Sequence, residues 1–194
     1  DLEADLAKRL DSNFADMMEL NNDINKNHVK EHDGLMKEKM SINPNKTEYG
    51  DGRAEIYDLG ILDSKGELTN LLLKGEEFTI REKIKFNANI ESPIFTFTIK
   101  DKKGTELTGT NTMFEGVEVK PVKSGDDAVV EFKQKMNLQG GEYLLSMSCT
   151  GFENGTHVVY HRLYDITFIT VISNKNTVGV YDMESKVKLT QNSR

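Results

Sequence analysis

A single cysteine, Cys149, leaves the chain without an internal disulfide. The expectation is a reducing compartment, because bridges gather in oxidising ones. No apolar run approaches the roughly 18 to 20 residues of a membrane-spanning helix, and the N-terminus lacks the basic and apolar regions of a secretory signal. Basic residues are outnumbered, 25 Lys and Arg against 32 Asp and Glu for a net charge of −7. That argues against nucleic acid as a partner, since phosphate binding needs clustered cations. Also missing are the phosphate-cradling patterns G-x-x-x-x-G-K-[ST] and G-x-G-x-x-G, so no nucleotide-hydrolysing site is expected here and no cofactor is implied. The chain begins at Asp1 rather than Met and reads as a fragment whose missing part carries targeting or activity. At 194 residues it can bury roughly 70% of its unfolded surface, enough for one β domain with an appendage.

What is present falls into two compositions. Over residues 1–40 there is no proline, and Leu2, Leu6, Leu10, Phe14, Met17 and Ile24 recur every three or four positions. Glu3, Asp5, Lys8, Arg9, Asp16 and Glu19 lie opposite them, the pattern of an amphipathic helix that packs on a neighbour or pairs with its own copy. Residues 21–30 could continue that helix or break it, and residues 31–40 regain helical character. Pro44 and two glycines make residues 41–52 a linker.

From Arg53 the grammar becomes short alternating runs between Gly, Asn and Asp turns, as in an antiparallel β-sandwich. Strands are predicted over residues 54–62, 77–86, 94–100, 106–112, 128–136, 141–149, 157–161 and 164–172. Turns fall at Asp63–Gly66, Gly140–Gly141 and Glu153–Gly155. Alternation points Phe78, Ile80, Ile84, Phe86, Phe95, Phe97, Val130, Phe132, Leu145 and Met147 inward. It points Arg81, Lys83, Lys85, Thr96, Thr98, Ser146 and Ser148 outward. Glu82 falls on the inward set, a conflict that a bulge or a strand end would resolve. A last segment, residues 178–189, reads as an extra edge strand or an exchanged arm.

Three constellations invite chemistry. His28, Glu31 and His32 match H-x-x-E-H, where histidines one helical turn apart bind zinc; the polar, loop-flanked context lacks a further ligand and favours a solvated helix. Cys149 with His157 and His161 could be a nucleophile and base. Cys149 alternates with Met147 and Leu145, however, which favours a small buried hydrophobe. Asn45 and Asn154 start glycosylation triplets of a kind that arises by chance. What remains is a polar surface: Thr96, Thr98, Asn111, Thr112, Ser146 and Ser148, with Tyr160 and Arg162 nearby. Hydroxyls and amides of this kind hydrogen-bond sugar hydroxyls while an aromatic ring covers a pyranose face. Any antiparallel sheet has a polar solvent face, so this composition alone does not separate a glycan-binding sheet from an ordinary one.

Tyr49–Ile56 (YGDGRAEI), Leu62–Gly66 (LDSKG), Gly109–Thr112 (GTNT), Gly141–Tyr143 (GEY) and His161–Asp165 (HRLYD), taken in order, resemble the C-terminal domain of the ATP-binding subunit in bacterial O-antigen exporters. The resemblance covers about residues 31–190. It implies an immunoglobulin-like β-sandwich, cytoplasmic and peripheral to the inner face of the membrane through its transporter. It also implies noncatalytic recognition of the modified end of a lipid-linked polysaccharide. The implied partners are the glycan, the transporter's ATPase and permease subunits, and a second copy joined by exchange of the last strand. The nucleotide-binding domain would lie upstream. The organisation expected is a helical linker or assembly segment over 1–40, a linker over 41–52 and a glycan-binding sandwich over 53–190. The alternative is a structural or protein-interaction sandwich assembled through its helix.

Overall fold

The computed structural model describes residues 34–192. The amphipathic helix read over the first turns of the chain, and the His28–His32 pattern within it, lie outside these residues.

Among the described residues, nine strands form two sheets. They are β1 (Thr47–Tyr49), β2 (Ala54–Leu62), β3 (Leu71–Leu73), β4 (Glu77–Phe86), β5 (Ile94–Asp101), β6 (Glu106–Asn111), β7 (Asp127–Lys135), β8 (Gly141–Glu153) and β9 (Thr156–Ile172). The larger sheet runs β1-β9-β8-β5-β6, with β3 also on β9; the smaller runs β2-β4-β7. All pairs are antiparallel except β3 with β9. The chain is thus mainly β, an antiparallel sandwich.

The alternation that defines the strands also builds the core. Phe78, Ile80, Ile84 and Phe86 of β4 and Phe132 of β7 face Phe95, Phe97 and Ile99 of β5 and Leu145 and Met147 of β8, all buried. Edge-on aromatic pairs Phe86–Phe95 and Phe97–Phe132 join the two sheets, with ring centroids 6.3 and 5.0 Å apart. Such contacts add about 0.5–1.5 kcal/mol each beyond burial. His161 of β9 adds a polar link: its Nδ1 accepts the Ile56 amide of β2 at 2.8 Å, and Nε2 lies 2.9 Å from Glu48. With Nδ1 accepting, Nε2 carries the proton that goes to Glu48.

Several expectations are corrected. Over residues 34–40 the backbone makes only a 3-10 turn, Met36–Lys39, not an α-helix. Buried Asp58 captures the amides of Met36 and Lys37 at 3.2 and 3.0 Å, and by Met40 the chain is extended. The stretch read as a linker, 41–52, contributes β1, pinned along β9 by the Ile42–Thr167 bridge and the Asn43 amide to Ile166. The strands read over 157–161 and 164–172 are one strand, β9, interrupted by irregular pairing with β8. No bulge rescues Glu82: β4 pairs regularly with β7 through it, and both carboxylate oxygens are buried without a partner among the described residues. Residues 178–189 form no strand; a single bridge joins Tyr181 to Leu138, and Lys74 holds Asp182 at 2.8 Å.

Candidate binding face

Register sets the site. Tyr49 of β1 lies opposite Arg162 of β9, Arg162 opposite Ser148 of β8, Ser148 opposite Thr96 of β5, and Thr96 opposite Asn111 of β6. Because directly opposed residues share a face, Asn111, Thr96, Ser148, Arg162 and Tyr49 form one row across the solvent side of the larger sheet. Next to it Gly109, Thr98 and Ser146 are opposed in turn, and Thr47 lies opposite Tyr164.

The middle of this face is a bulge in β9. Leu145 pairs with Thr167 and Met147 with Leu163, so extra residues of β9 are accommodated between them, with Asp165 at φ +52°. Ser146 locks that bulge: its Oγ accepts the Asp165 amide at 2.9 Å, and Lys100 pairs with the Asp165 carboxylate at 2.8 Å. A bulge of this kind re-aims the side chains beside it. Here the flanking side chains are Arg162 and Tyr164, and the Tyr49 and Tyr164 rings lie 6.0 Å apart at 34°. The Arg162 guanidinium sits 5.8 and 5.6 Å from those two rings, and Nη1 donates to the Tyr49 hydroxyl at 2.9 Å.

The residues predicted for the site separate. Thr96, Thr98, Asn111 and Arg162 lie on this face with partial exposure. Asn111 also spends its carbonyl oxygen on the Phe114 amide at 2.7 Å. Ser146 and Ser148 lie on it too but are buried, Ser148 to 4%, on a central strand of the sheet. Thr112 is buried away from the row and accepts the Phe95 amide through Oγ1.

Tyr160 points the other way. A second irregularity pairs Cys149 with His161 but Thr150 with Val159, leaving Tyr160 as the extra residue, turned into the core at 2% exposure. Its hydroxyl donates to Glu153 and Arg53 covers its ring at 4.7 Å. Burial, then the Glu153 charge, pushes the phenol up to about 12. Tyr160 therefore cannot cover a sugar on this face. The aromatic residues that can are Tyr49 and Tyr164, inside the segments YGDGRAEI and HRLYD and both passed over in the sequence: Tyr164 because a parity flip inside a strand leaves no compositional trace, Tyr49 because three-residue β1 is too short to show a period.

Cys149 and the histidines form no nucleophile pair. The thiol is buried among core side chains and burial pushes its pKa far up, His161 spends both ring nitrogens on Ile56 and Glu48, and His157 packs edge-on against exposed Phe152.

By fold and surface this is an antiparallel two-sheet sandwich carrying an open, hydroxyl- and tyrosine-bearing face on its larger sheet. The family model for the Wzt C-terminal domain matches residues 45–183, and the chain belongs to that family, the one its ordered motifs resemble. Among solved structures, the crystal structure of the C-terminal domain of Wzt aligns with TM-score 0.75 and 24% identity, covering 84% of this chain and 99% of that one. The CARDB domain of PF1109 from Pyrococcus furiosus aligns far more loosely, at TM-score 0.34 and 13% identity over 59% of this chain and 94% of that one. No curated protein matches the sequence.

Proposed function

We propose that this domain recognises a glycan without catalysis, as the part of a polysaccharide ABC exporter that selects a lipid-linked, O-antigen-like chain by its modified end. The observation that carries the reading is the row Asn111–Thr96–Ser148–Arg162–Tyr49, with Tyr164 beside it, on a domain of the Wzt C-terminal family. Small hydroxyls and an amide offer donors and acceptors to sugar hydroxyls, and tyrosine rings offer flat apolar surface to a pyranose. Thr98 flanks the row, Ser146 sets the bulge, and Thr112 and Tyr160 support from within. The proposed setting is the cytoplasmic face of the membrane, reached through the exporter's ATPase and permease subunits. The immunoglobulin-like connectivity is likewise proposed, supported by the sheet orders β1-β9-β8-β5-β6 and β2-β4-β7.

A second copy is the proposed partner at the C-terminal arm. Val187 and Leu189 are exposed and alternate with Lys186 and Lys188, the period of a strand. The edges of β6 and β7 are free of further strands among the described residues. The rival reading, assembly through an N-terminal helix, rests on residues outside the described ones.

The test is calorimetric titration with the delipidated glycan of the same cell. A Tyr49→Ala, Arg162→Ala double variant is expected to lose binding while Tyr57→Ala, on the smaller sheet, keeps it. Unchanged affinity in the double variant would sink this face.

A further inference from the structure

Arg162 carries a property that the other described arginines lack. Arg53 is neutralised by Asp51 and Glu153, and Arg81 by Glu131. Arg162 has no carboxylate within salt-bridge distance among the described residues, in a chain of net charge −7. The acid nearest in sequence on its own strand, Asp165, is taken by Lys100 at 2.8 Å and held by Ser146. Two tyrosine rings and one hydroxyl fix the guanidinium in place without cancelling its charge, since ring quadrupoles attract a cation but do not neutralise it. One of five N–H donors is used on Tyr49. Further along the row, beyond buried Ser148, the partly exposed Thr96 hydroxyl hydrogen-bonds to no described side chain or backbone group, so it is available as a donor.

A pre-positioned, unneutralised planar fork is the arrangement that binds an oxyanion through paired N–H···O bonds. We propose that Arg162 selects an anionic substituent, a carboxylate or a phosphate, carried by the sugar that lies on this face. The proposal rests on the glycan reading and narrows its substrate class to acidic glycans or glycans with an acidic terminus. The anion sits over Arg162 near the Tyr49 end of the row, and the pyranose extends over Tyr164 or toward Thr96.

The experiment follows the Arg162 side-chain N–H and backbone amide signals by NMR in the 194-residue chain, titrated with mannose 6-phosphate, glucuronate, neutral mannose and inorganic phosphate. One or both acidic sugars are expected to bind roughly tenfold more tightly than mannose, because charge-assisted hydrogen bonds are about twice as strong as neutral ones. Whichever of the two binds identifies the oxyanion. Added salt should weaken that binding and leave mannose unaffected. Arg162→Gln should bring the acidic sugars down to the level of mannose, and Arg162→Lys, which keeps the charge but loses the fork, should recover only part of the gap. Mannose binding as tightly as the acidic sugars would overturn the proposal and leave the glycan reading standing. Inorganic phosphate binding as well as mannose 6-phosphate would overturn the sugar-borne form of it. Absence of any shift with all four probes would overturn both.

Discussion

Glu82 is where local grammar and chemistry disagree, and the disagreement is real. Alternation placed it inward, and there it stays, 0% exposed with neither oxygen hydrogen-bonded among the described residues. Burial raises its carboxyl well above the ordinary range, so the folded form holds its proton more tightly than the unfolded chain does. The sign follows by linkage: the contribution to stability is full below the unfolded carboxyl value, about 4.3, and is lost as pH rises through the folded value. Urea unfolding between pH 4 and 9 should therefore show stability falling with pH, and Glu82→Gln should remove that slope. Glu82→Met should be more stable than the native chain at neutral pH by about 1–3 kcal/mol, the range for relieving an unsatisfied buried polar group. A less stable Met variant would mean that the carboxyl has a partner after all. The identity and the facing of this residue were both legible in the sequence. Its lack of a partner was not, because that depends on what the opposite sheet brings to it.

At the scale of elements, legibility tracked the length of uninterrupted alternation. β4 has the predicted bounds, Glu77–Phe86, since a strand half in water shows its period directly; β2 also has its predicted bounds, Ala54–Leu62, although residues 58–62 are buried in succession past a register shift against β4. β1 and β3, three residues each, are too short to show a period. β9 has a period that its irregularities reset, which is why Tyr160 was read as outward and Tyr164 overlooked. β1 nevertheless matters, because it brings Tyr49 to Arg162. It approaches β9 so closely at Gly50 that a Cβ there would overlap the Tyr160 carbonyl. Gly50→Ala must push β1 away from β9, at about 1–3 kcal/mol of overpacking. The expected outcome is a folded sandwich with weaker glycan binding and a perturbed Tyr49 ring signal, seen by thermal unfolding and NMR together. Unaltered binding in that variant would remove β1 from the site.

Across the whole molecule, the sandwich is closed on one side and open on the other. Between the free edges of β6 and β7 runs a groove of about 900 Å³ lined by Phe97, Ile99, Leu107, Val129 and Val130, with Val180 and Tyr181 at one end. Nearby Phe114 is 74% exposed and Val129 55%. Free edges beside apolar surface invite another strand, and residues 185–192 supply one of suitable alternation. Removing residues 185–194 should leave the Asp182 anchor and the fold intact. By light scattering it is expected to convert a dimer to a monomer; a dimer that persists would argue against exchange of this arm. The sequence reads residues 178–189 as an extra edge strand or an exchanged arm, but which edges stay free to receive it is a property of sheet order, fixed only when every strand has its neighbour.

The row from Asn111 to Tyr49 lies on the side of the larger sheet that faces away from the core, so the side chains exposed there can change without repacking Phe86, Phe95, Phe97 or Phe132. Surface substitutions away from buried features usually shift stability by no more than about 0.5 kcal/mol. Such a face is free to diverge while the scaffold holds. A domain built this way can acquire a new ligand preference through a few exposed positions, without an intermediate that fails to fold.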